Sequence, residues 1–462
     1  MDNLSPSKSE THRYLKEQLR LFAFDVTIPP KTDVIIRVQS ELSIRDRLAI
    51  LLEGELNFHG ENSRYASHDL HAFAAKFPPQ LPRAFIRGMT SPGDVVLDPM
   101  MGSGTSIVES LLEGRIGIGL DIDPLALLLT QVKTTPMNID DLQSAGSEVI
   151  SQANILLSEK SLIENHLTSV YEAHTKEFLN YWFLETTQYE LAALILAIQQ
   201  VDNSSFRRFL ELIFSSIIIT KSGGVSKARD LAHSRPHLDK NKIPKNAIEQ
   251  FSIRLRKSFT SIAQIKQNST TAFPINSDAR KIPFADNSID LIVTSPPYAN
   301  AIDYMRAHKF SLVWLGRSIT DLSELRSKYI GSEHLSKVPY FTFPDSITNI
   351  CQQLNEIDGH KASILEKYFM EMISVLSEIY RVLRPNSAAI IIVGSSTMRG
   401  IDTQTHKCLA DIATNLDFDV VGITRRILDR NKRMMPARFG NKSNSMIEQR
   451  IHDEYVIGLL KP

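Results

Sequence analysis

The sequence predicts an α/β fold: a doubly wound, largely parallel sheet with helices on both faces, carrying a mainly helical insertion. Three observations carry that prediction. Two strand-turn-helix units follow one another in "PGDVVLDPMMGSGTSIVESLLEG" and "RIGIGLDIDPLALLLTQVK". The same alternation resumes only after residue 270, in "SIDLIVTSPPY" and "AAIIIVGSS". Between the two halves, the apolar residues recur at helical spacing.

Taken in order, residues 1–60 form an N-terminal extension with a helix around "RDRLAILLEGEL". Residues 61–135 hold the first α/β half, with its two units in succession. From 136 to 270 the chain is mostly helical, through "EVISQANILLSEK", "TKEFLNYWF", "YELAALILAIQQV" and "FRRFLELIFSSIII". The second α/β half, 271–462, contains a long amphipathic helix in "LEKYFMEMISVLSEIYRVLRP" and closes with a strand pair, "DVVGITRRIL" and "EYVIGLLK".

At 462 residues, with 42% apolar and 23% charged residues, the chain is long enough for a sizeable core and has ordinary globular usage. Its 52 basic residues balance 52 acidic ones, so a polyanion would have to be met by a local basic patch. Two cysteines, Cys351 and Cys408, lack metal-ligand spacing, so no metal site is expected and a reducing compartment is. The longest apolar runs fall short of the roughly 18 residues of a membrane span, and "MDNLSPSKSETHRYLK" lacks a signal-peptide core. The expectation is a cytoplasmic protein without membrane contact.

The first chemical signal is the turn in "LDPMMGSGT". A strand ending at Asp98, then Pro99, Gly102, Gly104 and Thr105 opening a helix, lets the backbone approach a ligand closely. Asp121 ends the next strand 23 residues later, where dinucleotide-type folds place a carboxylate against ribose hydroxyls. The glycines do not follow the Gly-x-Gly-x-x-Gly pattern, which favours a nucleoside ligand without a diphosphate. Asp123 stands where it can cap the helix opening at Pro124.

The second signal is "IDLIVTSPPYANAIDY". Pro296 and Pro297 fix φ and remove two backbone donors, which leaves carbonyls at the strand end free to accept from a ligand amine. Ser295 adds a hydroxyl and Tyr298 a flat face. Together they describe a pocket for a planar base with an exocyclic amine, although a loop stop with a packed tyrosine would use the same residues. Asp303 and Tyr304 either line that pocket or cap and pack a helix.

"TSPPY" after an apolar strand, with "DPMMGSGT" upstream, closely resembles the amino-group DNA methyltransferases that use S-adenosylmethionine, and the serine form most resembles those that make N4-methylcytosine. The resemblance implies a Rossmann-like sheet whose 61–135 half binds the cofactor and whose 271–462 half is catalytic. It extends to "HAFAAKFPPQLPRAFI", where Lys76, Phe77 and Pro78 would help hold the methionine part, and to "NSDARKIPFADNSIDLIVTSPPY", where Asp278 and Ala279 take the adenine-binding place. By the same resemblance Asp98, Pro99, Gly102, Gly104 and Thr105 would border the cofactor and Asp121 would bind its ribose. Ser295 and the Pro296 carbonyl would hold the target amine, with Pro297 and Tyr298 completing the motif and Tyr298 stacking on a base flipped out of double-stranded DNA.

Two basic stretches are candidate DNA contacts. Residues 221–245 carry seven Lys or Arg against two Asp, among them Lys221, Lys227, Arg229 and Arg235. "RRILDRNKRMMPARFG" adds Arg425, Arg426, Arg430 and Arg433. Both could equally be solvated faces. The insertion is a target-recognition region, a lid or a homodimer surface. Adenine-N6 specificity, an RNA substrate and an inactive binding module are the competing readings. No paired acidic-lysine nuclease motif stands outside these blocks; if the chain belongs to a restriction system, as the resemblance allows, its restriction endonuclease would be a separate chain.

Overall fold

The computed structural model describes residues 42–220, 224–231, 236–265, 270–299, 303–333, 341–394, 396–428 and 453–462. Seven strands make one sheet: β1 (Val95–Asp98), β2 (Ile116–Asp121), β3 (Ala272–Asn276), β4 (Ile289–Thr294), β5 (Leu383–Gly394), β6 (Asp419–Ile427) and β7 (Asp453–Lys461). Their spatial order is β6-β7-β5-β4-β1-β2-β3. Neighbours run parallel, except that β7 is antiparallel to both β5 and β6. The chain winds from β1 toward β3 on one side and from β4 toward β6 on the other. The order therefore reverses between β1 and β4, and α/β sheets open a ligand crevice at the carboxyl ends of such a pair. This is the doubly wound α/β fold expected from the sequence.

Period-2 alternation feeds two cores. In β1, Val95 and Leu97 face one side and Val96 the other; in β5, Ala389, Ile391 and Val393 oppose Ala388, Ile390 and Ile392. Both faces are covered, which is why these strands read as continuous apolar runs. Helices α1 (Ile44–Glu53) and α2 (Gln80–Met89) cover one face through Leu48, Leu52, Phe85 and Ile86. Between β1 and β2 runs α3 (Thr105–Leu112), and after β2 comes α4 (Pro124–Thr134).

The stretch between α4 and β3 holds α5 (Ile139–Ser158), α6 (Lys160–Ser169), α7 (Ala173–Trp182), α8 (Glu185–Gln199), α9 (Ser204–Ile218) and α10 (Ala247–Ile262), with a short hairpin at 228–238. Asparagines start three of these helices: Asn138, Asn203 and Asn246 each accept from backbone N–H groups of the first turn. Between β4 and β5 lie α11 (Met305–Leu312), α12 (Ile319–Ser327), α13 (Asp345–Ile357) and α14 (Gly359–Val382), and α15 (Thr405–Asn415) precedes β6. Helices α13, α14 and α15 cover the sheet's other face, with Leu354, Phe369, Met372 and Leu409 buried against it.

The helical stretch does not stand apart from the sheet. Its core residues Leu194, Phe214 and Phe251 are continuous with Leu129 of α4 and with Phe310 and Trp314 at α11. Phe310 meets Phe178 and Trp182 edge-on at centroid distances of 5.0 and 4.8 Å. A buried polar chain runs alongside: His71 Nε2 to Ser215 Oγ at 2.9 Å, and Ser215 Oγ to Ser311 Oγ at 2.9 Å. Among the described residues no helix is long and apolar enough to cross a membrane, and no group of three His, Cys, Asp or Glu side chains is arranged to hold a metal.

If this shared core joins the helical stretch to the sheet, Phe310→Ala should cost about 3–5 kcal/mol and lower the midpoint of a single unfolding transition. A separate early transition for the helices, seen by calorimetry, would contradict the shared core.

Candidate functional site

The carboxyl ends of β1, β2, β3 and β4 surround a cavity that opens to solvent. Its first wall is the turn after β1. Gly102 and Gly104 sit at φ of +47° and +72°, the left-handed region that side chains with a Cβ rarely adopt. Gly102 N–H donates to Asp121 Oδ2 at 2.9 Å, and Asp123 N–H donates to Asp121 Oδ1 at 2.9 Å. One carboxylate thus binds the turn after β1 to the turn after β2. With up to four acceptor positions, it keeps capacity for a ligand's hydroxyl groups. Burial, reinforced by Asp123, pushes the Asp121 carboxyl up to about 7.

Asp123 turns away toward its own helix. Its Oδ1 accepts from Leu125 N–H at 2.8 Å, capping α4 with Pro124 at the first position, and its Oδ2 meets His308 Nδ1 at 2.5 Å. Burial alone would raise this carboxyl, but the facing His308 and these hydrogen bonds hold it below the usual range. Behind the turn, the fully buried Lys133 donates from Nζ to the Ser103 carbonyl at 2.7 Å, and burial lowers its pKa well below that of an ordinary lysine.

On the opposite wall, Asp278 follows β3. Its carboxylate takes both Nε and Nη2 of Arg280, and Arg280 also reaches Glu371 at 2.7 Å and the Lys328 carbonyl at 2.8 Å. Glu371 in turn accepts from Gly331 N–H at 2.9 Å, so the 328–331 segment that lines the cavity is anchored to Asp278 through one arginine. Aromatic surface closes the cavity: Tyr304 lies stacked on Phe73 at 5.5 Å with 29° between the rings.

The cavity lining brings together Lys76, Phe77, Pro99, Gly102, Thr105, Asp121, Asp278, Ala279, Ser295 and Pro297 of the candidates read from sequence. Five others are outside that lining, each for a local reason. Asp98 lies buried beneath the turn and accepts from Met100 N–H at 3.2 Å, with burial lifting its carboxyl to about 6. Gly104 packs against Thr130. Pro78 sits at the start of α2, its carbonyl accepting from Leu81 N–H at 3.0 Å. Pro296 is buried. Tyr298 turns toward β5 and β7: a Cβ on Gly394 would fall 2.5 Å from its ring, and its hydroxyl donates to Glu454 Oε1 at 2.9 Å.

Of the basic candidates, Lys227 donates to the Asn180 carbonyl at 3.2 Å, while Arg229 and Arg425 are exposed and paired with Asp239 and Asp453 at 3.3 and 2.8 Å. Lys221, Arg235, Arg430 and Arg433 lie outside the described residues. Arg426 overturns its reading as part of an exposed cluster. It is only 3% exposed, and its guanidinium is spent on Glu454 and the Leu56 carbonyl. Asp303 takes Arg306 and Arg326 at 3.0 and 2.6 Å, the packing role rather than the lining one. His308, Lys133 and Glu454 were not singled out from sequence. Their partners lie 185, 30 and 156 residues away, beyond any local pattern.

Residues 53–131, from the end of α1 through most of α4, match the DNA methylase model for N6- and N4-directed enzymes. Over that stretch the chain is similar to the DNA methylases. It is 23% identical over 384 residues to the Type II methyltransferase M.MvaI of Kocuria varians, covering 77% of this chain and 83% of that one. It is 23% identical over 414 residues to M.BsoBI of Geobacillus stearothermophilus, covering 77% of each. A shorter stretch of 102 residues is 33% identical to M.MjaII of Methanocaldococcus jannaschii, 21% of this chain and 19% of the relative. These matches support a DNA methyltransferase of the amino-group type; Ser295 to Tyr298 lie outside the matched family model.

The turn's dependence on glycine is testable. A Cβ on Gly104 would fall 2.4 Å from Thr130 Oγ1 at a φ of +72°. Gly104→Ala should therefore cost about 1–3 kcal/mol of stability by denaturant unfolding, and adding Thr130→Ala should recover part of that loss. A fully stable single variant would refute the strain.

Proposed function

We propose that this chain is a site-specific DNA methyltransferase that moves a methyl group from S-adenosylmethionine to cytosine N4 in duplex DNA, by base flipping and direct transfer. The observation that carries the reading is the meeting, at the sheet's switch point, of Ser295 and Pro297 with a cavity walled by the Asp121 and Asp278 carboxylates. The donor set fits the cofactor. Asp121, Asp278, Ala279, Lys76 and Phe77 all line the cavity. In this reading Asp121 keeps acceptor capacity for ribose hydroxyls, Asp278 and Ala279 would meet the adenine, and Lys76 and Phe77 would border the amino-acid part. Gly102 keeps the turn open, since a Cβ there would reach within 3.3 Å of the Phe73 ring.

The bound cofactor supplies an electrophilic methyl on a sulfonium. The remaining work falls to the chain. An exocyclic amine conjugated to its ring is a poor nucleophile. Two acceptors, Ser295 Oγ and the Pro296 carbonyl, would draw its hydrogens out of plane and localise the nitrogen lone pair toward the methyl. No covalent intermediate on the chain is required. Tyr298 would stack on the extruded base, a contact worth about 1–3 kcal/mol that offsets part of the unstacking cost. Lys227, Arg229 and Arg425, with Lys221, Arg235, Arg430 and Arg433, are proposed phosphate contacts that position the duplex without reading sequence. A cognate endonuclease would be a separate chain.

Expression in a host without DNA methylation, followed by digestion of genomic DNA to nucleosides and mass spectrometry, tests the reaction. The expected product is N4-methylcytosine, absent with Ser295→Ala. N6-methyladenine would keep the mechanism and overturn the base assignment, and no DNA mark would reject the reading.

The Asp121 carboxyl adds a pH dependence. Because its pKa is raised to about 7, its charge, and with it its full acceptor strength, grows as pH rises through neutrality. Affinity for S-adenosylmethionine should strengthen by up to about tenfold between pH 6 and pH 8, the change in ionised fraction of a group titrating there. Isothermal titration should show that Asp121→Asn binds more weakly and with a flat profile; a flat wild-type profile would remove Asp121 from the ribose site.

A further inference from the structure

Tyr298 begins a row that runs from the loop after β4 across three strands, β5, β7 and β6. It follows β4, and its ring occupies the space over Gly394 of β5. Gly394 is the cross-strand partner of Glu454 on β7, and Glu454 is the partner of Arg426 on β6. With no side chain at 394, the tyrosine ring reaches across β5 and its hydroxyl donates to Glu454 Oε1 at 2.9 Å. Glu454 Oε2 accepts from Arg426 Nη1. Arg426 is itself fastened to the loop after α1: Nε donates to the Leu56 carbonyl at 3.0 Å and Nη2 to the Asn57 carbonyl at 3.4 Å. Both oxygens of the carboxylate are thus committed, one to the tyrosine and one to the arginine.

This arrangement is costly for a merely structural contact. Arg426 and Glu454 are 3% and 7% exposed, and a buried ion pair pays a desolvation penalty that well-packed apolar residues of similar volume avoid. The neighbouring position shows the contrast: Tyr455, on the other face of β7, stacks on His406 at 3.6 Å and 5° without any buried ion pair. What the pair provides is direction. A phenol held at its para oxygen and wedged over a glycine cannot swing about χ1 or tilt out of plane, so its face is fixed before any base arrives.

Resting on the reading of Tyr298 as the platform for the extruded base, we propose that Glu454 and Arg426 are positioning residues for methyl transfer, acting through the Tyr298 hydroxyl to hold the ring where the target base must stack. The phenol oxygen has no chemical part in the reaction and serves as the tether. Freeing it lets the ring leave the stacking geometry and slows transfer from bound DNA, while the affinity for duplex and cofactor, set elsewhere, stays as it was.

The test is a double-mutant cycle on the full-length enzyme, read by single-turnover methyl transfer at saturating S-adenosylmethionine and DNA. DNA affinity and the fluorescence of 2-aminopurine at the target position are followed in parallel. Tyr298→Phe and Glu454→Gln should each slow transfer roughly ten- to hundredfold, with dissociation constants within about threefold of wild type, and the double variant should be no slower than the slower single one. The 2-aminopurine signal of the extruded base should weaken in both. Wild-type rates in Tyr298→Phe, or effects of the two changes that multiply, would overturn the tether. Should Glu454→Gln fail to fold, Glu454→Asp, which keeps the charge but shortens the reach, completes the cycle with the same expected outcomes. Tyr298→Ala separates the two levels. If it too transfers at the wild-type rate, the platform reading itself fails; if it is inactive while Tyr298→Phe and Glu454→Gln transfer at the wild-type rate, only the tether does.

Discussion

The Asp121 carboxylate is the constraint on which the site depends. By accepting the N–H groups of Gly102 and Asp123, it sets the distance between two turns that the sheet alone would only bring near each other. The left-handed φ of Gly102 aims that N–H at the carboxylate, Lys133 holds the Ser103 carbonyl from behind, and the Asp123 cap begins α4 in register with both. The cost shows in protonation: a buried carboxyl beside another is displaced upward to about 7, so the group that braces the cavity is also the one most responsive to pH near neutrality.

From that centre two connections radiate. Through Asp123, His308 and the Ser215 to Ser311 chain, the floor of the cavity is continuous with the helices between α4 and β3. Through Arg280 and Glu371, the Asp278 wall is continuous with α14 and the 328–331 segment. The helical stretch and the cavity therefore share both an apolar core and a polar seam. Whatever those helices touch is mechanically joined to α11, the helix that follows the Ser-Pro-Pro-Tyr strand. The Tyr298 row makes a third connection, at the far end of the sheet, and there the antiparallel β7 matters. Reversing that strand sets Glu454 beside Gly394, level with the loop after β4.

Much of this is legible in the sequence itself. Continuous apolar runs in "GDVVLD" and "IIIVG" mark strands buried on both faces, the glycines after Asp98 mark a tight turn opening a helix, and Asp123 before Pro124 marks a helix start. Each is a local rule of sterics or hydrogen bonding, expressed within a few residues, and each is met. Charge read from sequence fared worse. Arg425 and Arg426 are adjacent in the chain, yet the pleat sends one to solvent and the other into a buried pair with Glu454, because successive residues of a strand face opposite sides.

Length, composition and short-range pattern were enough to establish an α/β chain with a helical insertion, and to single out the Gly-rich turn, Asp121 and the Ser-Pro-Pro-Tyr loop. These properties arise from the local backbone and the faces it presents. The tertiary structure alone decided which of the singled-out residues share a cavity, which way Tyr298 turns, and that His308, Glu371, Arg426 and Glu454 support them. Those facts depend on strand order and cross-strand register, which bring together residues 91 to 185 positions apart. Pairings at that range leave no periodic trace in the chain, because what selects them is the packing of whole elements.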